Sequence, residues 1–483
     1  MYRPVFCSLT LLACLLTAGM FGTPIQAQDY THPRRMEFPD TGFERPDPIQ
    51  YQVKLFNDLV AYIVEEQEAP LVTVTAFIRG GTASDETDGS AEALARAFQR
   101  GPGFTTANEF AGKLQEMVAD YRVSVSQEMM EISLNVPSEH MVEALQLMSG
   151  ILREPTIDPE DIEALRAAAG RERRYGNGPE GASSLFEDVI LRNHMYDRIL
   201  MADEIRRLSV TAVQVFHSAH FVPRNVVLAL SGAFITQDAQ TALKEHFGDW
   251  QGGPAPKMIP AAPVNTAATR KIHTYALDTR QAWIAMGHEI SPVSQEARPA
   301  LDVMNYILGG GHFDTRLFRA TRDQRGLTND ASGFPEPGIW GPGIYPFLTS
   351  GRHEVIPLLV DLVLQEIVRI RSERVSEEEL FVAIGALADG SFQMQFEDGH
   401  ATARTFAQEW ISYRHHKGTE RYRERVRAIT EEDVLAAANN YLDPERLQLV
   451  IVGPINRVFE TKNGEGGWEL SDFGTVTPVF QKP

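Results

Sequence analysis

The chain has 483 residues, 43% of them hydrophobic and 23% charged, enough to bury large cores in two or more domains. Its formal net charge of −20 argues against nucleic acid or an anionic membrane as a partner, because polyanions would be repelled. The only cysteines are Cys7 and Cys14, so a product cleaved after Ala27 would have neither disulfide nor thiolate chemistry. Met1-Tyr-Arg3 is a short positive start, residues 5–16 are apolar, and small residues follow up to Ala27. This pattern predicts a secretory signal peptide over 1–27 rather than a transmembrane segment, since the run is too short and no second one follows. Lipid attachment at Cys14, in Leu11-Leu-Ala-Cys14, is the alternative. An exported, acidic, cysteine-free product fits a bacterial periplasm.

Residues 28–49 are polar and proline-rich and read as a mobile arm. From Gln50 come strand-like runs, among them 59–64 and 71–78, then the glycine pair Gly80-Gly81. A helix is predicted over 89–101, with Ala91, Leu94, Ala95 and Phe98 at the spacing of one face. A second helix follows at 107–118, then two alternating strands at 121–126 and 130–135. Helices at 138–152, 158–173 and 209–221 and a strand at 226–231 complete a first domain, 50–250.

Residues 251–270 are rich in Pro, Ala and Gly and predict a linker to a second domain, 271–460, with 461–483 as a tail. The second domain repeats the first. Ser209, Pro223 and Gly232 are matched by Thr430, Pro444 and Gly453 at a constant offset of 221 residues. Asp158-Pro-Glu-Asp-Ile162 is likewise matched by Ser376-Glu-Glu-Glu-Leu380, each an N-cap followed by an acidic first turn. So long a period means two similar domains, not a solenoid. Strands mixed with helix pairs, without βαβ alternation, predict an α+β fold with a mostly antiparallel sheet in each half.

The stretch Gly89-Ser-Ala-Glu-Ala-Leu-Ala-Arg-Ala-Phe-Gln-Arg-Gly101, set after those strands, resembles the zinc helix of the insulinase/pitrilysin family of peptidases. Intact members carry H-x-x-E-H there. Laid on that pattern, this chain has Glu92, Ala93, Leu94, Ala95 and Arg96, so both histidines and the catalytic glutamate are missing. The likeness extends from about Gln50 to Pro454, and its most specific stretches are 308–318 and 322–327. It implies a duplicated α+β unit, two pairs of which enclose a chamber for peptides. The chain resembles the non-catalytic subunit of bacterial heterodimeric members and of mitochondrial processing peptidase.

That resemblance implies that Glu172 stands at the third zinc ligand, 75 residues beyond the motif (97–171). One carboxylate cannot hold Zn²⁺, and Ala95 leaves no general base there, so no metal cofactor and no catalytic residue are expected. Arg96 would instead fill the vacated position and pair with Glu92, Glu172 or both. The glycine loop Gly309-Gly310-Gly311 reads as a substrate-facing loop or as a helix cap ending 301–308. Arg322 stands where relatives carry a substrate-binding arginine, or else makes a structural salt bridge; the tyrosine expected seven residues later is Asn329. His217/His220 and His415/His416 read as ordinary helix residues, and His288-Glu289 and His353-Glu354 begin H-E-x-x-H without its second histidine. The expected partners are a zinc-bearing homologue and extended or unfolded peptides. The alternatives are a peptidase with a relocated site and a scaffold that no longer binds peptides.

Overall fold

The computed structural model describes residues 42–169, 174–192, 203–256, 268–461 and 468–479, together with 194, 196–197, 200–201 and 264–265. The leader and lipid-attachment readings over 1–27 and the position of Glu172 lie outside them. The chain divides into two compact units, Met1–Glu44 and Arg45–Pro483, and the elements below belong to the second.

Its first half contains β1 (Gln52–Lys54), β2 (Val60–Glu65), β3 (Leu71–Arg79), β4 (Asp120–Val125), β5 (Met129–Pro137) and β6 (Val226–Gly232). Its helices are α1 (Pro48–Tyr51), α2 (Ser90–Gln99), α3 (Ala107–Glu116), α4 (Met141–Arg153), α5 (Pro159–Ala169), α6 (Pro179–Ile190), α7 (Val210–His220) and α8 (Thr236–Phe247). The second half adds β7 (Lys271–Ala276), β8 (Gln281–Ile290), β9 (Ala331–Gly333), β10 (Gly343–Arg352), β11 (Gln448–Gly453) and β12 (Thr475–Pro478). Its helices begin with α9 (Arg298–Asn305), α10 (Arg316–Phe318), α11 (Ile356–Ser372), α12 (Glu377–Gly385) and α13 (Phe392–Met394). They continue with α14 (Gly399–Tyr413), α15 (Lys417–Arg427), α16 (Glu431–Tyr441) and α17 (Ile455–Glu460).

Two six-stranded sheets result, ordered β1-β2-β6-β3-β5-β4 and β12-β7-β11-β8-β10-β9. Both are mostly antiparallel, with β2 parallel to β6 in the first and β7 parallel to both β11 and β12 in the second. The fold is therefore α+β and duplicated. Gly232 and Gly453, the residues 221 apart in sequence, end equivalent strands and share left-handed φ values of 129° and 151°. A side chain there would be strained, which is why the same residue recurs.

Strict alternation along β5 sends Met130, Ile132, Leu134 and Val136 into a core shared with α2, α4 and α8, and Glu131, Ser133 and Asn135 to the other face. That other face is covered from the opposite half. α14 packs across β2, β3 and β6, seating Phe406 against Tyr62. In return α6 packs across β8, β10 and β11, with Leu185 and Phe186 among Tyr275, Ala285, Ile344, Val450 and Val452. Each half thus lends the other one helix, which ties the two sheets into one unit.

Three boundaries differ from expectation. The compact unit begins at Arg45 rather than Gln50: Asp47 caps the proline-started helix α1, and Arg45 Nε donates to Thr419 Oγ1 at 3.1 Å. The end of the chain is not merely a tail, because β12 adds to β7 and Leu470 and Phe473 are buried in the second core. The third concerns α6 and α8, which the sequence pattern did not resolve.

Candidate functional site

α2 begins where Asp85 accepts the Gly89 and Ala91 N–H groups, at 2.9 and 2.8 Å, and Gly89 turns the chain with φ 85°. Burial pushes the Asp85 carboxyl up to about 7, against the two N–H groups that favour its charge. Ala91, Ala93, Leu94, Ala97 and Phe98 are buried, so the packed face is rotated from the predicted one. Ala95 and Glu92 are half-buried, and Arg96 is exposed. Arg96 makes no ion pair among the described residues, so the expected Glu92–Arg96 pair is not formed. The reason is helix geometry: the face that buries Leu94 and Phe98 turns position 96 outward.

These positions do not fit zinc. A catalytic site needs three protein ligands; here the second histidine position holds Arg96, a permanent cation with no lone pair to give, and Ala95 leaves no general base. Among the described residues no three His, Cys, Asp or Glu side chains stand together as a metal-binding group. The histidines bind the chain's own groups instead. His217 Nε2 lies 2.9 Å from Leu152 O and His220 Nδ1 3.2 Å from Arg79 O, and burial lowers both pKa values. His416 joins Tyr62 Oη (2.7 Å) and Glu409 (3.3 Å) across the two halves. His288 accepts from Asp443 N at 2.9 Å, and burial lowers its pKa to about 4.

In the second half, α9 runs into a wider π-helical turn, Tyr306–Gly310, that contains Gly309 and Gly310 and is capped by Gly311. A Cβ on Gly309 would stand 2.7 Å from Gly333 N and 2.8 Å from Leu317 Cδ1; one on Gly311 would stand 2.7 Å from Tyr306 O. One on Gly310 would meet Asn305 Nδ2 at 2.4 Å. The glycines therefore let this turn close on β9 and on itself, and Tyr345 Oη holds Asn305 Oδ1 beneath it at 2.6 Å. The glycines form a tightly packed turn at the end of α9, as the cap reading expects, and its continuation, Phe313, is 69% exposed.

Arg322 lies on the next π-helical turn, Arg319–Asp323, and is exposed. Its guanidinium lies over the rings of Phe318 (4.7 Å) and Phe313 (5.4 Å). Stacking of this kind holds a cation in place while leaving its edge N–H groups free to donate. The structure thus joins Arg322 to the segment following Gly311 through aromatic rings. Asn329 is exposed, and among the described residues no hydrogen bond joins it to Arg322.

Sequence reasoning missed the support under this assembly. Arg316, only 6% exposed, donates twice to Glu379 at 2.8 Å, and Arg319 reaches the same carboxylate at 3.3 Å. Glu379 also completes the capping box of α12 with Ser376. Burial alone would raise Glu379, but Arg316 and the Ser376 backbone pull it down to about 2. The signal in sequence was Thr315-Arg316, an N-cap followed by an arginine directly before the apolar pair Leu317-Phe318.

Residues 59–191 match the family described as Insulinase (Peptidase family M16), and residues 207–387 match Peptidase M16 inactive domain. An uncharacterized zinc protease of Streptomyces coelicolor is 24% identical over 327 residues, covering 65% of this chain and 69% of that protein. Zinc protease PqqE of Helicobacter pylori is 21% identical over 427 residues, 84% of this chain and 93% of that one. Among solved structures, a peptidase M16 inactive domain from Pseudomonas fluorescens superposes with a TM-score of 0.72 at 20% identity. The match covers 83% of this chain and 97% of the other. A protease from Helicobacter pylori gives 0.70 at 18% identity, over 83% and 99%.

Proposed function

Because the chain belongs to the insulinase family of M16 peptidases and their homologues, we propose that it is a non-catalytic subunit that pairs with a zinc-bearing homologue and helps bind peptide substrates for proteolysis. The observation that carries this reading is the contrast between two places. At the family's zinc position the chain presents an exposed arginine and an alanine; beside the glycine turn it keeps an exposed Arg322 laid on two phenyl rings. A guanidinium so held offers N–H donors to a peptide carbonyl or carboxylate without the entropy loss of a free side chain. Without a tyrosine at Asn329, the contribution falls on substrate binding rather than on turnover.

The test is co-expression with a zinc-bearing homologue from the same source, co-purification, and cleavage of an unfolded peptide. The two chains are expected to elute together, and Arg322→Ala is expected to raise KM several-fold with less change in kcat. A homologue fully active alone, with both constants of the mixture unmoved by Arg322→Ala, would sink the reading. Stoichiometric zinc and chelator-sensitive cleavage by this chain alone would sink it from the other side.

A further inference from the structure

The lent helix α14 has two neighbours. Phe406 turns toward Tyr62 of the first sheet, while Thr405, Gln408, Glu409 and Ser412, at helical spacings of three and four, share another side that lines a cavity of about 560 Å³. That volume is within the range of small-molecule pockets. Both halves build it: Met129, at the start of β5, comes from the first, and α9, α15 and residues 337–339 come from the second. Glu128, the neighbour of Met129, holds the 337–339 stretch in place by accepting the Ile339 N–H at 2.7 Å. Every residue of the wall is among the described ones.

The polar groups of the wall divide into those already engaged and those left open. Asp302 accepts from Arg298 Nε and from Tyr422 Oη, each at 2.7 Å. Glu409 accepts the Thr419 N–H at 2.9 Å and the Thr419 hydroxyl, and lies 3.3 Å from His416 Nδ1. Both carboxylates are therefore occupied, so the ammonium group of a ligand, or a row of sugar hydroxyls, would find no open carboxylate here. Donors remain. Arg298 is fixed through its Nε and its side chain is 43% exposed; Nη1 and Nη2 make no hydrogen bond among the described residues and are not sealed in the interior. The carboxamides of the half-buried Gln295, Gln395 and Gln408 likewise make no hydrogen bond there and keep accessible surface. A guanidinium edge matches a carboxylate with two parallel bonds. A carboxamide, which both donates and accepts, matches the N–H and C=O of a peptide bond. Phe392 and Tyr422, stacked at 5.8 Å, add an apolar wall beside them.

We propose that this cavity binds the free C-terminal end of a peptide, with the carboxylate on the Nη1–Nη2 edge of Arg298, the last amide groups on the three glutamines, and an apolar final side chain beside Phe392 and Tyr422. Arg322 takes no part in the lining, and the site needs no pairing with a homologue. Calorimetric titration of the purified full chain with N-acetyl-alanyl-phenylalanine tests it. The controls are the C-terminal amide of the same peptide, which lacks the carboxylate, and 3-phenylpropionate, which keeps carboxylate and ring but lacks the amide groups. The acid is expected to bind with a Kd of about 1 mM or tighter, and each control about tenfold more weakly. Arg298→Gln is expected to abolish the preference for the acid over the amide. Gln408→Ala is expected to weaken binding of the acid several-fold and leave thermal unfolding unchanged. Arg322→Ala is expected to leave the titration as it is, which separates a failure here from a failure of the role given to Arg322. No heat from the acid, or equal binding of acid and amide, overturns the proposal. So does binding undiminished by Gln408→Ala in a variant that unfolds like the parent chain, or binding lost in Arg322→Ala.

Discussion

The fourth strand in the order of each sheet leads into a helix, α2 after β3 and α9 after β8, and the two helices end differently. α2 stops at a single glycine, Gly101, whose φ of 85° turns the chain and whose missing side chain makes room for the ring of Phe110. Its outer face, with Glu92 and Arg96, is not buried. α9 instead widens into a turn of three glycines that packs against Gly333 and Leu317. Beyond it, Arg316 is locked to Glu379 in the interior and Arg322 is laid on Phe313 and Phe318 at the surface. Duplication supplied one scaffold twice. In the first copy the helix carries an exposed Arg96 on its outer face, while the second holds a buried charge pair, Arg316–Glu379, beneath a surface turn.

If that contrast is right, breaking the buried support is the most damaging single change. Arg316→Ala leaves Glu379 buried without its main partner and is expected to cost about 3–5 kcal/mol of unfolding free energy. Chemical denaturation measures it; a loss below about 1 kcal/mol would mean that the turn does not depend on the pair. Acid should act on the same contact. Glu379 has a folded pKa of about 2 against an ordinary 4.5, so its stabilisation is complete above 4.5 and is lost as pH falls from there toward 2. The difference corresponds to about 3 kcal/mol, reduced by solvent screening because the side chain is 15% exposed. Glu379→Gln should flatten the pH dependence in that window, and an unchanged slope would assign it to other carboxylates.

A smaller loss is expected from the glycines, and it tests the two helix ends side by side. Gly309→Ala drives a methyl group against Gly333 N, whereas Gly101→Ala adds positive-φ strain to a clash with Phe110. Each is expected to cost about 1–3 kcal/mol. In addition, Gly309→Ala should disturb the Phe313–Arg322 stack, read as a change in peptide affinity that Gly101→Ala does not produce. Equal effects on affinity would remove the functional distinction between the ends.

Much of this fold is legible in the sequence because its signals are local. Alternation in 130–135 gives β5, and the offset of 221 residues announces the duplication that Gly232 and Gly453 display. The exchange of α6 and α14 is not legible. A short amphipathic helix shows that one face is buried but not which sheet buries it, and Phe186 fits only because Gly287, about 100 residues away, leaves room for its ring. The same holds for Glu128, whose carboxylate takes the N–H groups of Ile339, Trp340 and Gly341 at 2.7–2.9 Å. At the site, Arg322 and the glycines were found through resemblance, but Phe313 and the Arg316–Glu379 pair depend on contacts between distant segments.

The smallest expected effect separates the two readings of Arg96. A guanidinium sitting in a vacated metal site among carboxylates would be costly to remove, by a few kcal/mol, because it would leave those carboxylates unpaired. In the structure the side chain stands on the outer face of α2, exposed and without an ion pair among the described residues. Alanine is also the better helix former, by a few tenths of a kcal/mol. Arg96→Ala is therefore expected to change unfolding free energy by no more than about 0.5 kcal/mol, in either direction. Near-neutrality would show that Arg96 is a solvated surface residue rather than a charge recruited into a compensating cluster. A loss above about 2 kcal/mol would instead place Arg96 in a compensating cluster reaching Glu172, and the contrast between the two helices would shrink accordingly.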